Sequence, residues 1–289
     1  MRAPAPCTPV AAAAARRCRA LGAGLLLIAA GLALGPAATA APADFVSTKP
    51  TQRVEYWQQR QAQIDAALRE SAKLPAVKLV FLGDSITDFW LLGDDPWVPG
   101  QLHGLKVWNE TFAGANPQLT ALNLGISGDR LEHVLFRLQP RSAGGLGHLD
   151  APELKPDFIV LMLGINNTWA PEQPVVASIV AGVRAVLLAA HERKPGARIV
   201  LQSVLPTNDA AKNRDVVLPI NQALAMLAAD PAFKPYTTWL DLYPGFVDSN
   251  GRQIGRLFMK DGLHPAEPGY QVWRDRLLPA LERARGAAR

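Results

Sequence analysis

The sequence predicts an α/β three-layer sandwich on a five-stranded, mostly parallel sheet. Two observations predict it. Short apolar runs alternate five times with longer stretches of helical periodicity. The runs are also close to uniformly apolar instead of alternating with polar residues, as in strands covered by helices on both faces.

Residues 41–51 read as a linker. Residues 52–71 are polar, with Val54, Trp57, Ile64, Ala67 and Leu68 at helical spacing, which predicts an amphipathic helix over the domain. The first strand, residues 79–82, stops at Gly83, which permits a tight exit. Residues 91–117 are irregular and predict a loop with short helical pieces forming a pocket wall. Trp90, Trp97 and Trp108 lie in or beside it, and each taken singly reads as core cover before substrate contact.

The second strand, 121–124, runs into Gly125-Ile126-Ser127-Gly128-Asp129 and a helix over 130–139. The third strand, 158–163, ends in Gly164-Ile165-Asn166-Asn167 and is followed by a helix over 174–192. The fourth strand covers 198–203. A polar loop over 206–218 precedes a helix opening at Pro219, a favoured first-turn position. The fifth strand covers 237–242. The last helix starts near Pro268, and Pro279 is expected to kink or interrupt it.

Residues 1–40 read as a secretory signal peptide. Arg2, Arg16, Arg17 and Arg19 form a basic start, residues 20–34 an uncharged apolar run, and Ala38-Thr39-Ala40 a cleavage pattern. The apolar run is short for a membrane span, which takes ~20 residues. The expected organisation is therefore a signal peptide over 1–40, linker and N-terminal helix over 41–75, and one domain over 76–289. Without stable membrane insertion after leader removal, the product would be periplasmic or extracellular.

The leader also explains the charge. The chain has 30 Lys+Arg against 25 Asp+Glu, but the leader holds four arginines and no acid. The remainder is close to neutral, which gives no warrant for nucleic-acid binding. Both cysteines, Cys7 and Cys18, lie in the leader, so the exported part would carry no disulfide, thiolate nucleophile or cysteine metal site.

Four loops stand just beyond carboxyl ends of strands or before the last helix: Gly83-Asp84-Ser85, Gly125 to Gly128, Gly164 to Asn167, and Asp261-Gly262-Leu263-His264. In a parallel sheet such ends share one edge, so the loops can converge. A serine there can be a nucleophile if a base reaches it. The competing reading of Gly83-Asp84-Ser85 is a turn that caps the next helix. Asp261 and His264 are three apart, so the carboxylate can reach Nδ1 while Nε2 points toward Ser85. Alone, that spacing also suits a helix cap.

His103, His133, His148 and His191 read as surface or core residues. Asp84 and Asp88 are conceivable metal ligands, but no paired spacing supports them. Walker A, Gly-x-Gly-x-x-Gly, His-Glu-x-x-His and Gly-x-Ser-x-Gly motifs are absent from the sequence.

With these residues in place, the chain resembles the SGNH (GDSL) hydrolases. The matching blocks are Gly83-Asp84-Ser85-Ile86-Thr87, Asn123 to Asp129, Gly164 to Asn167, and Asp261 to His264, in that order. Within the family it is most similar to the catalytic subunits of platelet-activating-factor acetylhydrolase, through residues 123–138 and 164–167 and Pro244-Gly245-Phe246-Val247. Asn167 stands where the family's third block usually has Asp, as it does in the acetylhydrolase group.

The resemblance implies a flavodoxin-like fold and a serine esterase needing no cofactor and no metal. It implies Ser85 as nucleophile, His264 as base, Asp261 as its partner, and Ser85, Gly128 and Asn166 as oxyanion donors. A short acyl group, such as acetyl, on a carbohydrate or lipid is the implied substrate. Two other classes compete: a metal-dependent phosphoesterase using Asp84, Asn166 and His264 as ligands, and an exported carbohydrate-binding module without turnover.

Overall fold

The computed structural model describes residues 44–53, 57–96 and 98–286. The leader with both cysteines, Val54 and Trp97 lie outside the described residues. Five strands form one parallel sheet: β1 (Leu79–Gly83), β2 (Ala121–Asn123), β3 (Phe158–Met162), β4 (Arg198–Gln202) and β5 (Thr237–Leu240). Their order is β2-β1-β3-β4-β5. Leu79 pairs with Ala121 on one side and Phe158 on the other. β1 and β3 are wholly buried, which is why their sequences are unbroken apolar runs.

Eight α-helices accompany the sheet among the described residues: α1 (Gln58–Arg69), the turn-length α2 (Ser85–Asp88), α3 (Leu105–Thr111), α4 (Leu131–Leu138), α5 (Val175–Arg193), the short α6 (Ala210–Lys212), α7 (Leu218–Ala229) and α8 (Glu267–Gly286). α4, α5 and α7 pack together on one face, while α3 and α8 pack together on the other. This is the three-layer sandwich that the alternation of apolar runs and helices predicts. Connections leave β1 toward β2 and return to β3 on its other side. The order therefore reverses at the β1/β3 boundary, where open α/β sheets bind ligands. α5 is long and apolar enough to cross a membrane by composition. Here Ile179, Val183, Val186 and Leu187 are buried in the core.

Three details depart from the sequence reading. The stretch read as linker is fastened down: Ser47 Oγ donates to the Ser178 carbonyl at 2.8 Å, and Glu172 accepts from the Val46 and Ser47 N–H groups. The polar stretch after β4 turns helical early, because Asp209 Oδ1 accepts from the N–H groups of Ala211 and Lys212. α8 runs through Pro279 without interruption. The Asp275 carbonyl that loses its partner there lies on an exposed residue and can turn to water.

Trp90 and Trp108 are buried in an aromatic cluster with Phe81, Phe112, Tyr270 and Trp273. They cover the core, which is the plainer of the two readings open from the sequence.

Candidate active site

Gly83 ends β1 for a packing reason: a Cβ there would stand 2.0 Å from Thr87 Oγ1 and 2.8 Å from the Met162 carbonyl. The chain can therefore fold back tightly into α2. Asp84 caps that helix, its Oδ1 accepting from the Ile86 N–H at 3.0 Å. The capping reading is thus correct for Asp84, while Ser85, first in the helix, turns its hydroxyl elsewhere.

Ser85 Oγ lies 2.9 Å from His264 Nε2, and His264 Nδ1 lies 2.6 Å from Asp261 Oδ2. Oδ1 of Asp261 accepts from the N–H groups of Leu263 and His264, at 2.8 and 3.0 Å. Burial alone would raise this carboxyl, but hydrogen bonds from the His264 ring and those two N–H groups outweigh it and hold it at about 2. Asp261 is therefore ionised at any working pH and fixes Nδ1 of His264 as the protonated nitrogen. Phe89 packs against the His264 ring with centroids 4.8 Å apart, limiting its rotation.

The 125–129 loop is tied to the end of β1, where the Ile126 N–H donates to the Gly83 carbonyl at 3.2 Å, and the 164–167 loop is joined to it. Asn166 Nδ2 donates to the Asp129 carbonyl at 2.8 Å, which leaves its second N–H for another acceptor. Asn167 is buried and faces the other way: its Oδ1 accepts from the Leu131 N–H and its Nδ2 donates to Glu132 Oε2, bracing the start of α4. Gly128 adopts φ +78°, a backbone state that favours glycine.

The remaining histidines are otherwise engaged. His133 Nδ1 accepts from the Arg130 N–H, and burial pushes its ring down to about 4. His148 is buried beside Arg137, His103 pairs with Asp95, and His191 stacks on Tyr236. Among the described residues, no group of three or more His, Cys, Asp or Glu side chains is placed to hold a metal ion. Of the ligands the phosphoesterase reading would use, Asp84 Oδ1 caps a helix, Asn166 binds Asp129 and His264 Nε2 faces Ser85.

The site also contains residues that motif reasoning missed. Arg137 is buried, pairs with Asp129 at 2.8 Å, and donates to the carbonyls of Leu124 and Gly83, tying the β1 and β2 ends together. Arg60 of α1 pairs with Asp88 at 2.7 Å and donates to the carbonyls of Gly125 and Asn123. Asp88 in turn accepts from the Ser127 N–H. A charged residue at an inward helical position was the only signal for Arg137, and Arg60 had none. Asp84 Oδ2 is buried without a hydrogen-bond partner among the described residues, and burial, opposed by the Ile86 N–H, pushes this carboxyl up to about 7. A cavity of about 340 Å³ adjoins the site, with Phe89, Ile126, Ser127, Trp57 and Leu92 in its wall.

The model of the GDSL-like lipase/acylhydrolase family matches residues 81–272. The chain belongs to this family. It is 32% identical over 198 residues to the human platelet-activating factor acetylhydrolase IB subunit alpha1, covering 67% of this chain and 70% of that one. Solved structures of similar fold include a GDSL-like lipase from Bacteroides thetaiotaomicron (TM-score 0.51, 19% identity, 77% of this chain and 98% of that one). Another is a catalytic mutant of an acetylxylan esterase from Geobacillus stearothermophilus (TM-score 0.51, 20% identity, 71% and 93%). As a GDSL acylhydrolase, the chain is a hydrolase of ester bonds. The family match begins inside β1, so Arg60 and the segment before it lie outside the matched residues.

Proposed function

We propose that this acylhydrolase is exported and removes a short acyl group, acetyl foremost, from a carbohydrate or lipid ester through a Ser85–His264–Asp261 triad. The observation that carries the reading is the unbroken relay of 2.9 and 2.6 Å from Ser85 Oγ through His264 to Asp261. The relatives named for acetyl chemistry support the acyl size. The basic start, apolar run and Ala38-Thr39-Ala40 support export.

In this mechanism Ser85 Oγ attacks the ester carbonyl as its proton passes to His264 Nε2. The backbone N–H groups of Ser85 and Gly128 and Nδ2 of Asn166 donate to the oxyanion. The carbon–oxygen bond to the alcohol breaks, and the alcohol leaves with the proton from His264. Water then attacks the acyl-Ser85 ester with the same general base, and the acid is released. Asp261 stabilises the imidazolium in both steps.

An active-site phosphonate should label Ser85 alone, and Ser85→Ala should lower kcat by ~10⁴-fold or more. EDTA should leave the wild-type rate unchanged. Labelling at Ser127, full activity in the alanine variant, or loss in EDTA restored by a divalent ion would each defeat the reading. Acetylated glycans and acetyl phospholipids, assayed side by side on the mature protein, separate the two alcohol classes.

A further inference from the structure

We propose that Arg53, in the segment ahead of α1, is a positioning residue of the oxyanion hole, where it orients and polarises the Ser127–Gly128 peptide. The inference rests on the reading above, in which the Gly128 N–H donates to the oxyanion.

A peptide unit is planar, so the Ser127 carbonyl and the Gly128 N–H are opposite ends of one rigid group. Arg53 Nη1 donates to that carbonyl at 2.6 Å. A short, charge-assisted bond at the oxygen draws electron density away from the nitrogen and makes its N–H a stronger donor. The same nitrogen of Arg53 lies 3.1 Å from Asp129 Oδ1. The Arg53 side chain is only 20% exposed and Asp129 2%, so water screens the interaction weakly.

The guanidinium rests directly on Gly128. A Cβ at that position would stand 2.7 Å from Arg53 Nη2 and 3.3 Å from its Cζ. Gly128 is thus needed twice, for its φ of +78° and for the room that Arg53 occupies. Asp129 is shared between two guanidiniums, Arg53 at Oδ1 and Arg137 at Oδ2, so the cluster of these three groups keeps a net positive charge. That charge lies behind the peptide that meets the developing oxyanion.

The preceding peptide is held as well. Asp88 Oδ2 accepts from the Ser127 N–H at 3.1 Å and is itself anchored by Arg60. Two arginines seven positions apart, Arg53 and Arg60, therefore grip the 125–129 loop from a segment that precedes the family match. Arg53 bears on the oxygen end of the donor peptide, whereas Arg60 acts through Asp88 and the loop's other carbonyls.

The test compares Arg53→Gln, Arg53→Lys and Arg53→Ala with wild type and Ser85→Ala on p-nitrophenyl acetate. Removing an oxyanion donor outright costs ~10²–10³ in kcat, so weakening one should cost roughly 10–30-fold. Arg53→Gln should show that loss in kcat with KM within about twofold, because the interaction strengthens only in the transition state. The rate of phosphonate labelling at Ser85 should fall by the same factor. Arg53→Lys should recover part of the rate, and added guanidinium should raise kcat of Arg53→Ala without changing its melting temperature.

Unchanged kcat in Arg53→Gln, with Ser85→Ala inactive, would overturn the role of Arg53 and leave the triad standing. A raised KM at unchanged kcat would also overturn it, assigning Arg53 to ground-state binding. A lowered melting temperature with no recovery by lysine or guanidinium would reduce Arg53 to a structural clamp. Full activity in Ser85→Ala would instead remove the underlying reading.

Discussion

Asn166 and Asn167 are adjacent, yet their alanine variants should fail in opposite ways. Asn166 Nδ2 spends one N–H on the Asp129 carbonyl and has one left, which the proposed mechanism assigns to the oxyanion. Asn166→Ala should lower kcat by ~10²–10³, or ~2.7–4 kcal/mol of transition-state stabilisation, with little change in KM. Its cost in stability is one half-buried neutral hydrogen bond, ~0.5–1.5 kcal/mol. Asn167 loses two buried bonds, one from the Leu131 N–H and one to the carboxylate of Glu132. At ~0.5–1.5 kcal/mol for the first and ~1.5–3 for the second, Asn167→Ala should destabilise the fold by ~2–4.5 kcal/mol. It should also strand the Leu131 N–H at the start of α4, while disturbing kcat less than Asn166→Ala does. Steady-state kinetics beside denaturant unfolding resolve the two axes. A stably folded Asn166→Ala enzyme with unchanged kcat would refute the oxyanion role. An Asn167→Ala enzyme with full stability would refute the bracing role.

Asp84 gives stability a pH dependence of unusual sign. Its carboxyl stands at about 7 in the folded state against an ordinary 3.8 for an aspartate, so between those values the folded protein holds a proton that the unfolded chain has released. Stability should therefore fall as pH rises through that window, and Asp84→Asn, which keeps a capping oxygen for the Ile86 N–H, should lack this loss. Urea unfolding of both proteins between pH 4 and 8 checks it, and parallel curves would refute it. The amino terminus of the exported product should be Ala41, read by terminal sequencing; a membrane-held product starting at Met1 would mean an uncleaved anchor.

Much of this molecule is local and therefore legible in the chain. β1 and β3 appear as unbroken apolar runs because both of their faces are covered, and the helices appear through their periodicity. Asp261 and His264 are three residues apart, so their pairing needs only one turn of chain. Pro279 does not interrupt α8, because the Asp275 carbonyl it frees lies on an exposed residue that water can reach. Val46–Thr48 misled because a small polar segment gives no sign of the partners, Glu172 and Ser178, that fasten it.

The fold class, the four loops and the set of residue types that ester hydrolysis requires can be read from the chain alone. Tertiary structure decided which of them meet. The Ser85–His264 contact spans 179 positions, and nothing in either segment encodes its 2.9 Å length. The division of labour between Asn166 and Asn167 depends on the start of α4, and the grip of Arg53, Arg60 and Arg137 depends on the packing of α1 and α4 against the strand ends. The raised Asp84 carboxyl exists only because the closed fold excludes water from it. Periodicity and capping are properties of neighbouring residues. Ion pairing, desolvation and catalytic distance are properties of the closed fold, set by which elements the sheet order β2-β1-β3-β4-β5 brings to the β1/β3 boundary.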